Sequence, residues 1–101
     1  MTPVEFSREA DADLDNILDY SIAAHGRETA EAYLRTIDAA IEWLAERPQL
    51  GAPRDDLKEG LRSLPAGEHR IYYRFDGTTV LVARVLHKAM DAGRHLGSEP
   101  A

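Results

Sequence analysis

The sequence predicts an α+β domain with two layers, in which two helices cover one face of a mainly antiparallel sheet. In the first half of the chain, apolar residues recur every three or four positions, which is the period of amphipathic helices. Beyond residue 60 the period changes to two, which is the period of strands. Because each helix and the sheet must bury one side, a two-layer domain satisfies both.

The chain begins with a short predicted strand and an amphipathic helix. Residues 3–6 form the strand, and the hydroxyl of Ser7 can accept from the free N–H groups at a helix start. The other side of this helix is acidic and is predicted to be solvated, since the glycine and terminal glutamate of a calcium-binding loop are missing. The acidic residues are Asp11, Asp13, Asp15 and Asp19.

A second amphipathic helix is expected directly after His25-Gly26, because glycine adopts the left-handed conformation common at helix ends. Pro48 marks its end, and the short link predicts an antiparallel helical hairpin. Tyr33 falls on the apolar stripe of this helix and is expected in the core. Trp43 lies beside the stripe, where it could contact a partner.

The remainder of the chain predicts a surface loop followed by an antiparallel meander of three strands. Residues 49–60 are rich in turn formers and have no periodicity. The strands are a short one flanked by Leu61 and Leu64, a second over residues 70–75 and a third over residues 79–87. Asp76-Gly77 predicts a tight hairpin turn between the last two.

Strict alternation in the middle strand separates its side chains onto two faces. If Arg70, Tyr72 and Arg74 share one face, the residues between them point to the helices. The sequence therefore predicts an open face of arginine and tyrosine on the far side of the sheet. Such a face suits an acidic protein segment, because arginine forms bidentate pairs with carboxylates and tyrosine supplies contact area. An ordinary solvated sheet face is the alternative.

Charge argues against broad nucleic-acid binding. The net charge is −6, and residues 1–60 carry 6 Lys and Arg against 14 Asp and Glu, whereas residues 61–101 carry 6 against 4. Proteins that grip nucleic acid neutralise several phosphates with Lys and Arg. A local basic face in the C-terminal part remains open.

Length and residue usage predict one cytoplasmic domain. Residues 1–97 are expected to form it, with residues 98–101 as a flexible tail. The chain has no cysteine, which excludes disulfides, thiolate metal sites and thiol nucleophiles and fits a reducing cytosol. Its first residues are too polar for a signal peptide, and no apolar stretch approaches the length of a membrane span, so no membrane association is expected.

The order of elements and several local strings resemble the ParE branch of the RelE/ParE superfamily. The strings cover residues 3 to about 97. The most specific are Gly60-Leu61-Arg62-Ser63-Leu64, His69-Arg70-Ile71-Tyr72-Tyr73-Arg74 and Arg84-Val85-Leu86-His87, followed by Met90-Asp91. Earlier matches are Phe6-Ser7, Ala10, Asp13-Leu14, Ile17, Tyr20, Gly26, Ala30, Tyr33, Ile41, Leu44, Pro48 and Gly51.

This resemblance implies the toxin of a type II toxin–antitoxin system of the plasmid-stabilisation kind. It implies neutralisation by a ParD-like antitoxin, whose disordered segment folds on wrapping the toxin and whose other end binds DNA. For the free toxin it implies inhibition of DNA gyrase by protein binding, with no enzymatic activity and no cofactor. Contact with DNA would then be only indirect, through the antitoxin.

The candidate binding surface combines the basic positions of the strands with the C-terminal run. We predict contacts to antitoxin or target from Arg62, Arg70, Tyr72, Arg74, Arg84, His87, Lys88, Met90, Asp91, Arg94 and His95. The run over residues 88–97 could either dock on the domain or reach a target, and the resemblance favours a role in toxicity.

A ribosome-dependent messenger-RNA endoribonuclease of the RelE type is the first alternative. Cleavage at a 2′-hydroxyl needs a base, an acid and cations for the phosphorane charge, which Arg62, Arg84 and His87 could supply. Arg84 and His87 differ in strand parity, however, and without a bulge between them they face opposite sides.

Two further alternatives remain at this point. The chain could keep the toxin fold but serve only as a non-toxic binding module. On a continuous helix, His87, Asp91 and His95 would share one face and mimic a metal site. His87 ends a predicted strand and no zinc-type His-Glu-x-x-His motif is present, so we predict no metal.

Overall fold

The computed structural model describes residues 1–97, and the predicted tail at 98–101 lies outside the described residues. The helices and strands are β1 (Val4–Phe6), α1 (Arg8–His25), α2 (Arg27–Glu46), β2 (Ala52–Pro53), β3 (Arg62–Ala66), β4 (His69–Phe75) and β5 (Val80–His87), followed by a π-helical turn over Gly93–Gly97. Over this range the strands form a five-stranded sheet in the order β1-β5-β4-β3-β2. The predicted α+β class, with an N-terminal strand, a helical hairpin and an antiparallel meander, is confirmed.

Ser7 begins α1 as the sequence predicts, and it also attaches the helix to the sheet. Its side chain accepts from the N–H of Ala10 at 2.9 Å, which satisfies one of the free donors at the helix start. The same hydroxyl donates to the carbonyl of Ala83 in β5 at 2.7 Å. One side chain thus fixes the position of α1 relative to the sheet.

The helical hairpin turns at one glycine. Gly26 has a φ of 87°, and its N–H donates to the carbonyl of Ile22 at 2.8 Å. A positive φ is accessible to glycine at little steric cost, which permits the reversal between α1 and α2. The second helix ends at Glu46, two residues before Pro48, so both predicted ends are confirmed.

The sheet is antiparallel except at one edge, where β1 runs parallel to β5. A bulge interrupts the pairing of β4 with β5, since Tyr72 lies opposite Arg84 while the next residue, Tyr73, lies opposite Val82. Ala83 is therefore the extra residue of β5. Bulges redirect side chains locally, and this one changes the alternation of β5 before Arg84.

The main core fills the space between the helices and the sheet. Its buried residues are Ala10, Ile17, Ile37, Ala40, Leu44, Ala66, Ile71, Tyr73, Val80, Val82 and Val85. The buried Tyr73 also holds the loop after α2, because its hydroxyl accepts from the N–H of Gly51 at 2.8 Å. An added Cβ at Gly51 would lie 2.7 Å from that hydroxyl, so the close approach requires glycine.

The far face of the sheet carries a second apolar cluster, and the prediction of an open face is wrong here. Tyr72 is only 4% exposed and packs with Leu61, Leu86 and Leu96. Alternation in β4 is confirmed, since Ile71 and its neighbours of the same parity belong to the helix-facing core. The face is covered because the C-terminal turn and the 54–60 loop fold back over it.

Two local predictions need correction. The loop after α2 is not entirely irregular, since residues 52–53 pair with β3 as the short strand β2. The hairpin between β4 and β5 is confirmed, but its connection spans residues 76–79 rather than two residues. Asp76 shapes it by accepting from the N–H groups of Thr78 and Thr79 at 2.9 and 2.8 Å.

Candidate functional site

A groove of about 690 Å³ lies where the helical hairpin crosses the end of the β4–β5 pair. It is lined by Asp13, Asn16, Ile17, Tyr20, Ser21, His25, Thr29, Ala30, Tyr33, Glu68, His69, Val85, Leu86, His87 and Met90. Its volume falls within the range of protein binding sites. The residues come from α1, α2, the β3–β4 turn and the end of β5, so the groove exists only in the folded chain.

The groove has a buried apolar floor and an exposed apolar rim. Ala30 and Val85 are buried, whereas Tyr20 and Met90 are 74% and 48% exposed. Large apolar side chains that stay exposed beside a groove favour contact with another molecule. The amphipathic pattern of α1 does not predict this exposure of Tyr20.

Tyr33 and His69 form the polar centre of the groove. The hydroxyl of Tyr33 accepts from the backbone N–H of Glu68 at 2.9 Å, and it hydrogen-bonds to Nδ1 of His69. Because that N–H already uses the oxygen as an acceptor, the single hydroxyl proton can be donated to Nδ1 of a neutral imidazole. Burial raises the pKa of Tyr33 above its ordinary value, which keeps the phenol protonated.

His69 is held toward its neutral form. Burial, and next the neighbouring His87, lower the pKa of His69 below its ordinary value. The carboxylates of Glu68 and Asp13 act in the opposite direction but do not outweigh these effects. The rings of His69 and His87 meet edge to face with centroids 5.3 Å apart.

The two carboxylates that line the groove are each paired with a cation. Asp13 receives two hydrogen bonds from the guanidinium of Arg84, at 2.8 and 2.9 Å, and a third from the N–H of Val85 at 2.9 Å. Glu68 pairs with Lys88 at 2.6 Å, and this pair lowers the pKa of the Glu68 carboxyl. The prediction that Asp13 belongs to a solvated face is therefore wrong, because its side chain is only 13% exposed.

The eleven predicted binding residues lie in four places, and only two of these residues line the groove. His87 and Met90 line the groove, while Arg84 and Lys88 pair with its carboxylates. The far sheet face carries Arg70, Tyr72 and Arg74, and the segment after β5 carries Asp91, Arg94 and His95. Their roles in binding stay predictions.

Arg62 serves the architecture of the sheet edge. Its guanidinium donates to the carbonyls of Gly51 and Gln49 at 2.7 and 3.3 Å, which holds the loop that leads into β2. On the far face, Arg54 pairs with Asp56 at 3.0 and 3.1 Å and lies 6.0 Å from the centroid of the Tyr72 ring. No sequence pattern points to this role of Arg54.

The three nuclease candidates are not brought together. In the sheet, Arg62 lies opposite Tyr73 of β4, and His87 lies opposite His69 of the same strand. Arg62 and His87 are therefore offset by four residues along the strand direction. At the rise of a strand, four residues correspond to roughly 13 Å. Arg84 aligns with Tyr72, one residue along from Arg62 and of opposite parity, and its guanidinium is bound to Asp13.

The His87, Asp91 and His95 positions do not share a helix. His87 ends β5, Asp91 precedes the π-helical turn and accepts from the N–H of Gly93 at 3.0 Å, and His95 lies within the turn. Within residues 1–97, no three His, Cys, Asp or Glu side chains are grouped closely enough to hold a metal ion. Over the same range, no helix has the length and apolar character needed to cross a membrane.

Sequence reasoning missed the groove residues Asp13, Tyr20, Glu68 and His69. Tyr33 was predicted in the core, and its ring does pack against the main core cluster, but its hydroxyl role was not predicted. These residues are far apart in the sequence and carry no shared motif. One signal could have pointed to them. His69 begins β4 and His87 ends β5, so the two histidines lie opposite each other at the same end of an antiparallel pair.

The family comparison covers most of the chain. Residues 4–92 match the family described as "ParE toxin of type II toxin-antitoxin system, parDE". Toxin ParE1 of Caulobacter vibrioides is 44% identical over 97 residues, which are 96% of this chain and 100% of the relative. Toxin ParE1 of Mycobacterium tuberculosis is 41% identical over 91 residues, covering 89% and 93% of the two chains.

Solved structures share the same architecture. A chain of the chromosomal ParDE system from P. aeruginosa superposes with a TM-score of 0.75 at 26% identity, covering 86% of this chain and 96% of that chain. A chain of the toxin–antitoxin complex RelBE2 from Mycobacterium tuberculosis gives a TM-score of 0.60 at 28% identity, covering 86% and 98%. The chain therefore belongs to the ParE family of toxins of type II toxin–antitoxin systems, within the RelE/ParE superfamily.

Proposed function

We propose that a ParD-like antitoxin neutralises this toxin by placing an apolar segment in the groove, and that the free toxin inhibits DNA gyrase in the cytoplasm. The proposal assigns inhibition to protein binding rather than to side-chain catalysis, and it needs no cofactor. The observation that carries it is the open apolar groove, with Tyr20 and Met90 on its rim, in a chain that matches ParE toxins over residues 4–92.

The shape and chemistry of the groove support a peptide segment as its occupant. An amphipathic segment can place successive apolar side chains on a buried floor such as that of Ala30 and Val85. The exposed side chains of Tyr20 and Met90 on the rim can then cover the segment. Antitoxin binding is also favoured by the solved relatives, which come from a ParDE system and from a toxin–antitoxin complex.

The separation of the nuclease candidates supports a non-enzymatic mechanism. General acid–base cleavage requires its groups within hydrogen-bonding reach of one scissile phosphate. Arg62 and His87 are offset by about 13 Å along the strands and lie on β3 and β5, which have β4 between them, and Arg84 is bound to Asp13. This arrangement gives no common centre for the three side chains.

The gyrase assignment comes from the family and from the charge of the far face. Arg74 is exposed there and Arg70 is half-buried, while Arg94 is exposed on the turn that packs beside them. Arginines of this kind suit a target surface that carries carboxylates, because the guanidinium forms charge-assisted pairs. Since functions differ among proteins of one fold, the target must be tested directly.

The decisive experiment combines induction in cells with purified components. The chain is induced alone in bacteria, and viability, DNA-damage response and messenger-RNA integrity are followed. Purified chain is then added to gyrase in a supercoiling assay. We expect arrested growth, DNA damage, intact messenger RNA and loss of supercoiling. Messenger RNA cut within codons would replace the proposal with an endoribonuclease, and unimpaired growth would replace it with a non-toxic binding module.

Antitoxin binding is tested with a groove variant and a matched control. Met90→Glu places a charge on the rim of the groove and should weaken binding of the ParD-like antitoxin at least tenfold in calorimetry. Leu50→Glu makes the same change at a side chain that is 41% exposed and does not line the groove. Equal weakening by both variants would place the antitoxin elsewhere.

A further inference from the structure

Histidine is concentrated in the groove. Three of the four histidines of the chain, His25, His69 and His87, line it. The fourth, His95, lies in the π-helical turn. Histidine is the side chain whose ordinary pKa lies closest to neutral pH, so the charge of this surface can change near physiological conditions.

The carboxylates of the groove are already paired with cations, so they do not neutralise a positive charge gained by a histidine. Asp13 is already bound by Arg84 and by the N–H of Val85, and Glu68 is already paired with Lys88. Any positive charge acquired on acidification therefore adds to a groove whose negative groups are matched. The groove is close to neutral when His69 is neutral and gains a positive charge when His69 is protonated.

His69 is the histidine most tightly integrated into the groove. Its Nδ1 hydrogen-bonds to the hydroxyl of Tyr33, which already accepts from the N–H of Glu68. Protonation of His69 would turn Nδ1 into a donor and require the hydroxyl to redirect its own proton. It would also place a positive charge beside the ring of His87, whose centroid is 5.3 Å away.

We propose that the groove is a proton-sensitive binding surface, which holds its apolar occupant while His69 is neutral and releases it as His69 becomes protonated. This inference rests on the proposed function, since it takes the segment of the ParD-like antitoxin as the occupant. It adds a regulatory property to that site, namely that acidification frees the toxin.

The direction in which affinity changes with pH follows from the surroundings of His69. The groups that face it are Asp13 from α1, Tyr33 from α2, Glu68 from the β3–β4 turn, and His87 and Lys88 at the end of β5. Burial already lowers its pKa in the free chain. An apolar segment laid over the groove removes more water and lowers that pKa further. The free toxin then binds more protons than the complex at acid pH, so affinity falls as pH falls.

Calorimetric titration of the intact toxin with the intact ParD-like antitoxin tests this between about pH 8 and pH 5.5. Exclusion of one proton weakens binding by up to about tenfold for each pH unit below the pKa of free His69. We therefore expect a larger dissociation constant at the acid end, by a factor below about ten, because burial places the pKa of free His69 less than one unit above pH 5.5. His69→Gln keeps a hydrogen-bonding side chain without a charge and should flatten the profile, whereas His95→Gln should keep it.

A second measurement does not depend on the folding of a variant. Nuclear magnetic resonance of the unmodified chain follows the imidazole protons of His69 with and without antitoxin. We expect the His69 titration to move to lower pH in the complex.

Tight binding near pH 8 with a flat profile in the unmodified chain would overturn this inference and leave the proposed function standing. Tighter binding at acid pH would also overturn it, and would show that the antitoxin places an acidic side chain beside the histidines. No binding at any pH would remove the proposed antitoxin interaction and this inference with it.

Discussion

Asp13 links the first helix to the strand at the centre of the site. Its carboxylate receives two hydrogen bonds from Arg84 and one from the N–H of Val85, which lies beyond the stretch of β5 that pairs with β1. A side chain thus replaces a neighbouring strand as the hydrogen-bond partner of β5. Because Asp13 also lines the groove, this contact fixes the position of α1 relative to the groove histidines.

Asp13→Ala should lower the free energy of unfolding by about 2 kcal/mol, because it removes the carboxylate that accepts from the partly buried guanidinium of Arg84 and from the N–H of Val85. Urea unfolding followed by circular dichroism measures the change. Asp15→Ala is the matched control, since Asp15 is exposed on the same helix, and it should leave the midpoint unchanged. Equal midpoints for both variants would contradict the structural role of Asp13.

Tyr33→Phe tests the polar centre of the groove. Loss of the hydroxyl removes the donor to Nδ1 that favours neutral His69, so the pKa of His69 should rise toward its ordinary value. It also leaves the N–H of Glu68 without its partner, which should cost about 1 kcal/mol of unfolding free energy. Resonance titration and urea unfolding report these effects. Tyr20→Phe, at an exposed ring of the same groove, should change neither.

Among the secondary-structure elements, α1 depends on both local and distant contacts. The cap at Ser7 is encoded locally, since a hydroxyl before a helix satisfies its free N–H groups. The bond from the same hydroxyl to Ala83 is tertiary and joins residues 76 positions apart in the chain. The local sequence therefore determines where the helix begins, and the contact with the sheet determines where the helix lies.

Ser7→Ala should lower the free energy of unfolding by about 1 kcal/mol, since it removes the cap. Ser7→Asp separates the two roles of the hydroxyl. An ionised carboxylate can accept from Ala10 N–H, but it cannot donate to the carbonyl of Ala83. Thermal unfolding should place Ser7→Asp between the original chain and Ser7→Ala. A loss of stability in Ser7→Asp greater than in Ser7→Ala would show that a carboxylate is not accommodated beside the carbonyl of Ala83, and would contradict the separation of the two roles.

At the scale of the whole molecule, the sheet has apolar clusters on both faces. The main core lies under the helices, and the second cluster lies under the C-terminal turn, where Leu96 is 5% exposed. Of the two outcomes open for the run over residues 88–97, docking on the domain is the one observed. A role of this segment in toxicity stays a prediction.

Leu96→Ala should lower the free energy of unfolding by about 2 to 3 kcal/mol, because a buried leucine leaves a cavity over Tyr72. Increased fluorescence quenching of tyrosine by iodide would report the uncovered ring. Leu50→Ala removes the same atoms from a side chain that is 41% exposed and should have little effect. Unchanged stability of Leu96→Ala would mean that the turn contributes little to the fold.

Local sequence patterns establish the class, order and approximate ends of the elements, because periodicity, capping and turn chemistry are local. The two-layer class, the cap at Ser7, the reversal at Gly26 and the inward face of β4 all follow from neighbouring residues. Membership of the ParE family was also predicted, since its strings extend along nearly the whole chain.

Long-range contacts determine which side chains meet. The groove joins residues of α1 and α2 to His69 and His87, and the order β1-β5-β4-β3-β2 sets these distances. Tyr72 is buried because a distant segment folds over it, and Asp13 is paired because β5 has a free backbone donor beside it. Such contacts depend on register and chain path over long sequence separations, which local patterns of polarity do not encode.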